Sequence, residues 1–288
     1  MKFIILGCGS SMGVPRSDGF FGKCNPNNKK NYRTRCSAII KSKNLNILID
    51  TSPDLRSQLI NNKINSIDKV LYSHMHADQT HGINDLRVFF IKRRKPIDVY
   101  ADSETKRYLK STFSYCFKSN TREYPATLKM NKMKAKMTIK KNRDKITIKS
   151  IKVKHGKVNS ICYIFNKKLA YISDVSEISN KDYKYFKGLK YLVIDCLWYR
   201  NHPSHLNLEQ NTDFHFELEI TETIAGEQYC TDKDTVVVTI RKNICPIADA
   251  GGNIRVPKFD NNPVVLSAVN SLDPDGEDLI FSWTGDNG

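Results

Sequence analysis

Apolar residues in this chain fall mostly into short β-branched runs, with fewer stretches at helical spacing. Residues 2–6 read as a strand running into a glycine loop, and 36–41 and 45–50 as two more strands. Residues 53–61 carry Leu55, Leu59 and Ile60 on one side, the spacing of a short helix. A compact run, Lys69-Val70-Leu71-Tyr72, reads as a buried strand. The pattern then predicts a short helix over 83–91, a strand over 97–100 and a helix over 104–117. Alternation returns at 137–139, 145–148, 161–164 and 169–172, four predicted strands. Strands and helices mixed in this order fit an α+β fold, a four-layer αββα sandwich with two sheets face to face and helices outside. Past Gln210 the pattern becomes all-β, alternating over 214–220 and β-branched over 235–240.

Charge divides the chain at the same place. The whole carries 46 Lys and Arg against 30 Asp and Glu, a net of +16. Residues 211–288 hold 14 acidic and 5 basic side chains, a net of −9, which leaves +25 on residues 1–210. A change of sign that large marks a boundary between modules, 1–210 and 211–288. A net of +25 suits an anionic substrate or a nucleic acid. The favoured reading is a solvated surface in a chain rich in Lys, Asn and Ile, because no aromatics interleave with the lysines as a base-stacking surface requires. No segment reaches the roughly 20 apolar residues of a membrane span. The amino terminus enters a strand without a leader pattern, and Cys8, Cys24, Cys36, Cys116, Cys162 and Cys196 include no Cys-x-x-Cys pair. Reduced thiols and a cytoplasmic location are the expectation.

The chemistry concentrates in Ser73-His74-Met75-His76-Ala77-Asp78-Gln79-Thr80-His81-Gly82, directly after the predicted strand. Of seven histidines in 288 residues, three lie in this run. Two imidazoles at i and i+2 and a carboxylate at i+4, on a loop leaving a strand, can turn toward one point. Neutral imidazole and carboxylate are the ligands of a zinc-like divalent ion.

The run resembles the His-x-His-x-Asp-His signature of metallo-β-lactamase fold hydrolases, with Gln79 where the last histidine of the pattern stands. Gly7-Cys8-Gly9-Ser10-Ser11-Met12-Gly13-Val14-Pro15, Asp50-Thr51-Ser52-Pro53-Asp54, His81-Gly82-Ile83-Asn84-Asp85-Leu86-Arg87 and Tyr171-Ile172-Ser173-Asp174 resemble the branch of phosphoribosyl cyclic phosphate phosphodiesterases. So does Asp195-Cys196-Leu197 followed by His202-Pro203-Ser204-His205. The resemblance covers residues 1 to about 210.

It implies a first metal held by His74, His76, His155 and Asp174. A second would take Asp78, the bridging Asp174 and the amide oxygen of Gln79, with His81 a further substitute. One more histidine, on a final helix and strand that this chain does not match, would complete the family's set, so the hydrolase module is expected to be incomplete at its carboxyl end. The implied cofactors are two divalent ions, zinc or manganese, the second weakly held. Catalytic roles are implied for Asp78 and His205, and substrate contact for Arg87 and His202, with Asp50 and Asp54 behind the ligands or in a turn. The cysteine cluster that holds a structural zinc in some relatives has one counterpart here, Cys24, so no such zinc is expected. The implied activity is phosphodiester hydrolysis of a small cyclic phosphate ester. Nuclease action of the transfer-RNA 3′ processing type and thioester hydrolysis are alternatives on the same fold. Residues 211–288 resemble pieces of immunoglobulin-like repeats of the polycystic kidney disease (PKD) type. They read as a foreign fusion or an assembly error, which leaves an inactive surface-binding module as the contrasting possibility.

Overall fold

The structure, a computed structural model, describes residues 1–119, 121, 124–198, 200–207 and 271, and the backbone of 212–224 and 227–240. The first sheet is built from β1 (Lys2–Gly7), β2 (Ser37–Lys41), β3 (Asn46–Ile49), β4 (Lys69–Leu71), β5 (Ile97–Ala101) and β6 (Leu128–Lys132), in that spatial order. β1, β2 and β3 pair antiparallel, while β3, β4, β5 and β6 run parallel. Between them come α1 (Leu55–Asn61), α2 (Ala77–Thr80), α3 (Arg87–Arg93), α4 (Ser103–Thr112) and α5 (Ser114–Phe117). The second sheet contains β7 (Lys136–Lys141), β8 (Asp144–His155), β9 (Val158–Phe165), β10 (Leu169–Ile172) and β11 (Tyr191–Ile194), ordered β11-β10-β9-β8-β7.

Side-chain alternation sets the layers. Ala38, Ile40, Ile47, Ile49 and Leu71 point inward and meet Ile146, Ile148, Tyr163, Phe165 and Tyr171 of the second sheet. Their neighbours Ile39, Leu48, Val70 and Val99 point outward onto Leu55, Leu59, Phe89 and Leu109 of the covering helices. A sheet buried on both faces reads as an unbroken apolar run, which is why β2 and β3 stand out in the sequence. On the second sheet, Ile151, Val153, Cys162, Ile164 and Ile172 face outward. Among the described residues, the side chains packed on that face include Ile178, Tyr185, Phe186, Leu189 and Leu206, from a 3-10 turn (Asn180–Tyr185) and loops rather than an α-helix.

Several expected elements shift. The helix expected over 83–91 begins as a 3-10 turn, Ile83–Leu86, before α3. The helix expected over 104–117 breaks at Phe113, whose buried ring leaves helical geometry (φ −118°, ψ 41°). β6 was not expected because only Leu128 of its five residues is buried, so lysines dominate the pattern. β11 is short and half-exposed, which leaves it without a strand signal in the sequence.

The chain divides into two compact units, Met1–Val238 and Thr239–Gly288. Two further strands, β12 (Thr212–Ile224) and β13 (Glu227–Ile240), form a two-stranded sheet. An immunoglobulin-like sandwich needs two packed sheets, and one pair of strands does not show it. The expected repeat over 246–288 lies outside the described residues, Ser271 aside. Among the described residues no helix is long and apolar enough to cross a membrane, and six cysteines carry free thiols.

Candidate metal centre and cleft

β4 ends at Leu71, and the chain leaves the sheet edge through Ser73 into the histidine loop. Asp50 anchors that exit: its carboxylate accepts from the Ser73 backbone N–H at 2.7 Å, and its own backbone is left-handed (φ 59°). Gly82 closes the loop against the Thr51–Ser52 backbone. A Cβ there would stand 1.9 Å from the Ser52 carbonyl oxygen, so only glycine fits.

His74, His76 and His155 converge. His74 Nε2 lies 3.0 Å from His76 Nδ1, and His155 Nε2 lies 3.3 Å from the same atom. The far nitrogen of His155, Nδ1, sits 2.6 Å from the Ser204 carbonyl oxygen. A carbonyl only accepts, so Nδ1 carries the hydrogen and Nε2 presents a lone pair to the cluster. His74 Nδ1 meets Ser73 Oγ at 3.0 Å. Burial holds His74 well below the ordinary histidine range, reinforced by His76 and His155. His155 is also lowered, mainly by burial, against the opposing Ser204 carbonyl. Imidazoles with nitrogens turned toward one another make a poor hydrogen-bond network and a good ligand set. This donor chemistry fits a divalent cation.

Asp174 follows β10, with Oδ2 at 4.0 Å from His74 Nε2 and Oδ1 at 3.7 Å from His205 Nδ1. Burial, with the charges of Asp78 and Asp195, pushes its carboxyl up. His155, Asp174 and His205 form a second group able to hold a cation. His205 Nδ1 donates to Asp195 Oδ2 at 2.7 Å. Burial alone would lower His205, but the hydrogen bond and charge of Asp195, with Asp174 and Asp78, raise it above the ordinary value.

His76, Asp78, His155, Asp174 and His205 open onto one cleft of about 520 Å³, whose lining also includes Cys8, Gly9, Ser10 and Ser11 of the glycine loop. Asp195 also lines it. Asp195 has no role legible in the sequence alone. Its position at the end of β11, ten residues before His205, becomes informative only once the two are seen to bond.

Other expectations are redirected. Gln79 turns its amide nitrogen to the site, donating to Asp174 Oδ2 at 3.1 Å and Asp78 Oδ2 at 3.3 Å. Its oxygen, expected as a ligand, is buried without a hydrogen-bond partner. Two carboxylates attract an N–H and repel a carbonyl, so the amide turns its nitrogen toward them. His81, expected as a further substitute, lies outside both groups, its Nε2 at 2.8 Å from the Tyr108 hydroxyl. Arg87 begins α3, exposed and outside the cleft lining, and His202 is outside it as well. His202 instead stacks on Trp198 at 5.2 Å and backs His205 at 5.1 Å between ring centroids. Asp54 binds Arg35 through both oxygens, at 2.6 and 2.9 Å, rather than a histidine.

Residues 45–225 match a family model described as the beta-lactamase superfamily domain. A protein of Porphyromonas gingivalis (strain ATCC BAA-308 / W83) described as an octanoyltransferase is 32% identical over 215 residues. That match takes in 74% of this chain and 43% of that protein, so the chain spans less than half of the relative's length. Among solved structures, a diphosphatase from the PhnP family superposes with a TM-score of 0.62 at 29% identity, covering 72% of this chain and 78% of that one. Zn(2+)-bound PqqB from Methylobacterium extorquens gives 0.52 at 17% identity, covering 69% and 73%. Human tRNase Z, short form, gives 0.50 at 13% identity, covering 73% and 85%. At these identities the last two speak to the fold alone.

Proposed function

The chain belongs to the beta-lactamase superfamily, and on that premise we propose that it is a metal-dependent phosphodiesterase whose substrate is a small cyclic phosphate ester. The observation that carries the reading is the joint opening of two devices onto one cleft. One is the histidine cluster with Asp174, and the other is the His205–Asp195 pair. The likeness to a diphosphatase supports phosphate as the group acted upon.

His74, His76, His155 and Asp174 would hold the first cation, zinc or manganese. A bound cation of this kind polarises a phosphoryl oxygen and acidifies water. The chain's own residues supply the rest. Asp195 accepts from Nδ1 of His205 and so aims Nε2 into the cleft as the proton donor to the leaving oxygen, a contribution of roughly 10²–10⁴-fold. Asp78, which lines the same cleft, would accept a proton from the attacking water. A second cation would rest on Asp78 and Asp174, and weakly, because Gln79 spends its amide hydrogens on the two carboxylates and His205 is committed to proton donation. We place residues 211–288 in a separate module, to be checked by reading source DNA across the codons for Gln210 and Asn211. Six free thiols favour the cytoplasm, which fractionation would test.

The test is a substrate panel. With Mn²⁺ or Zn²⁺ added, the chain should hydrolyse a simple phosphodiester and a ribose cyclic phosphate and leave thioesters untouched. Thioester turnover with inert phosphodiesters would overturn the reading.

A further inference from the structure

α4 carries Lys106 and Lys110 one helical turn apart, with Arg107 beside them. With Lys118 after α5 and Lys132 at the end of β6, they line a surface cavity of about 670 Å³ whose lining includes no carboxylate. Among the described residues, none of the five forms an ion pair. Like charges gathered without counter-charge repel, and an anion with repeated negative groups relieves that repulsion. A second cavity of about 520 Å³ shares Ser103, Arg107 and Lys132 with the first and adds Lys134 and Lys152. Asp102 and Glu104 border it, but Asp102 is engaged in capping α4 through the Thr105 N–H at 2.9 Å.

The position of this surface is what gives it meaning. The second cavity reaches Ile161, whose backbone N–H donates to the Ser73 carbonyl at 3.0 Å, one residue before His74. β5 runs parallel to β4 with Tyr100 opposite Leu71, so Ala101 in the first cavity and Ser73 leave the sheet along the same edge. The cationic surface therefore starts beside the histidine loop and extends away from it along α4. The cleft shares no lining residue with either cationic cavity, so a small ester held in the cleft does not require this strip. A strand of phosphates does. No aromatic side chain lines the first cavity, so recognition would read the backbone rather than stack bases.

We propose that this surface binds the phosphodiester backbone of a nucleic acid, so that the cleft also acts on phosphodiesters carried by a longer strand. The cleavage half rests on the hydrolase reading above, whereas the binding half stands without it. Binding is therefore measured on the chelator-stripped full chain, where no hydrolysis intervenes. The readout is fluorescence anisotropy of two end-labelled 16-nucleotide RNAs, one unstructured and one hairpin. The triple variant Lys106→Glu, Lys110→Glu, Lys132→Glu should lose at least about tenfold in affinity for one of them. Its dependence of log Kd on log salt should flatten by about 2 for a single strand, at roughly 0.7 per lost phosphate contact. The control Lys140→Glu, Lys145→Glu, Lys167→Glu makes the same charge change at the β7–β8 hairpin and a distant turn, and should lose less than about threefold. Hydrolysis of a small phosphodiester by the metal-loaded patch variant should stay within about twofold of the parent. Equal losses in the two variants would assign binding to diffuse net charge and overturn the proposal. So would failure of both RNAs to bind, or complete displacement by inorganic phosphate at matched ionic strength, which marks a simple anion pocket. Loss of small-diester hydrolysis together with RNA binding would count against a separate surface.

Discussion

Gln79 donates to both Asp78 and Asp174, which leaves those carboxylates partly satisfied without a second cation. Replacing it with histidine removes those donors and offers an imidazole lone pair. Elemental analysis should therefore find bound metal rising from about one equivalent in the parent toward two in Gln79→His, with faster phosphodiester turnover. Unchanged stoichiometry would mean that Gln79 does not limit the second site. The His205–Asp195 pair makes a separate prediction. Asp195 helps keep His205 protonated, so Asp195→Asn should move the alkaline limb of the pH–rate profile to lower pH, while His205→Ala should cut kcat by roughly 10²–10⁴-fold. At this scale the sequence was legible where spacing is local. His74, His76 and Asp78 share one loop and could be read together. The bond between His205 and Asp195 depends on where β11 ends, and the amide orientation of Gln79 depends on Asp78 beside it and on Asp174, 95 residues away in sequence. Neither has a local signal.

The elements that position the site are short and held by backbone fit. β4 contributes three residues and α2 four, too few to be stable alone. Their geometry is fixed instead by Asp50, the Gly82 N–H to Thr51 carbonyl bond at 2.9 Å, and the Thr51 N–H to Gln79 carbonyl bond at 2.8 Å. Gly82→Ala should cost about 3 kcal/mol, because the new methyl must displace the Ser52 carbonyl. Chemical denaturation would measure that loss, and metal affinity should fall with it, since Ser52 and the histidine loop move together. Strands buried on both faces, such as β2 and β3, announced themselves in the sequence. β6 did not, since its edge position leaves lysines exposed along it.

For the whole molecule, the buried ionisable groups set opposing pH dependences in the metal-free chain. His74 and His155 are held below their unfolded values. The unfolded state therefore takes up protons first, and their contribution, full above about pH 6.5, is lost as pH falls through that unfolded value. Asp50 and Asp174 are raised, chiefly by burial. Their ionisation is penalised in the fold, so stability declines as pH rises from about 4 toward their folded values. Asp174→Asn removes one of these penalties. The metal-free variant should melt higher than the parent at pH 7, by about 2–4 °C per kcal/mol relieved, and should lose metal affinity. A lower melting temperature would show that Asp174 stabilises the apoprotein and is no reserve for a cation. The central claim is that the histidine cluster makes this chain a metal-dependent phosphodiesterase. Its most direct test is the initial rate of hydrolysis of a simple phosphodiester as Mn²⁺ is titrated into the chelator-stripped chain, run beside His76→Ala. The predicted result is no turnover without metal, a saturable rise in the parent, and a rate at least about 100-fold lower in the variant. Equal rates with and without metal, or a variant that saturates at the parent rate, would contradict it.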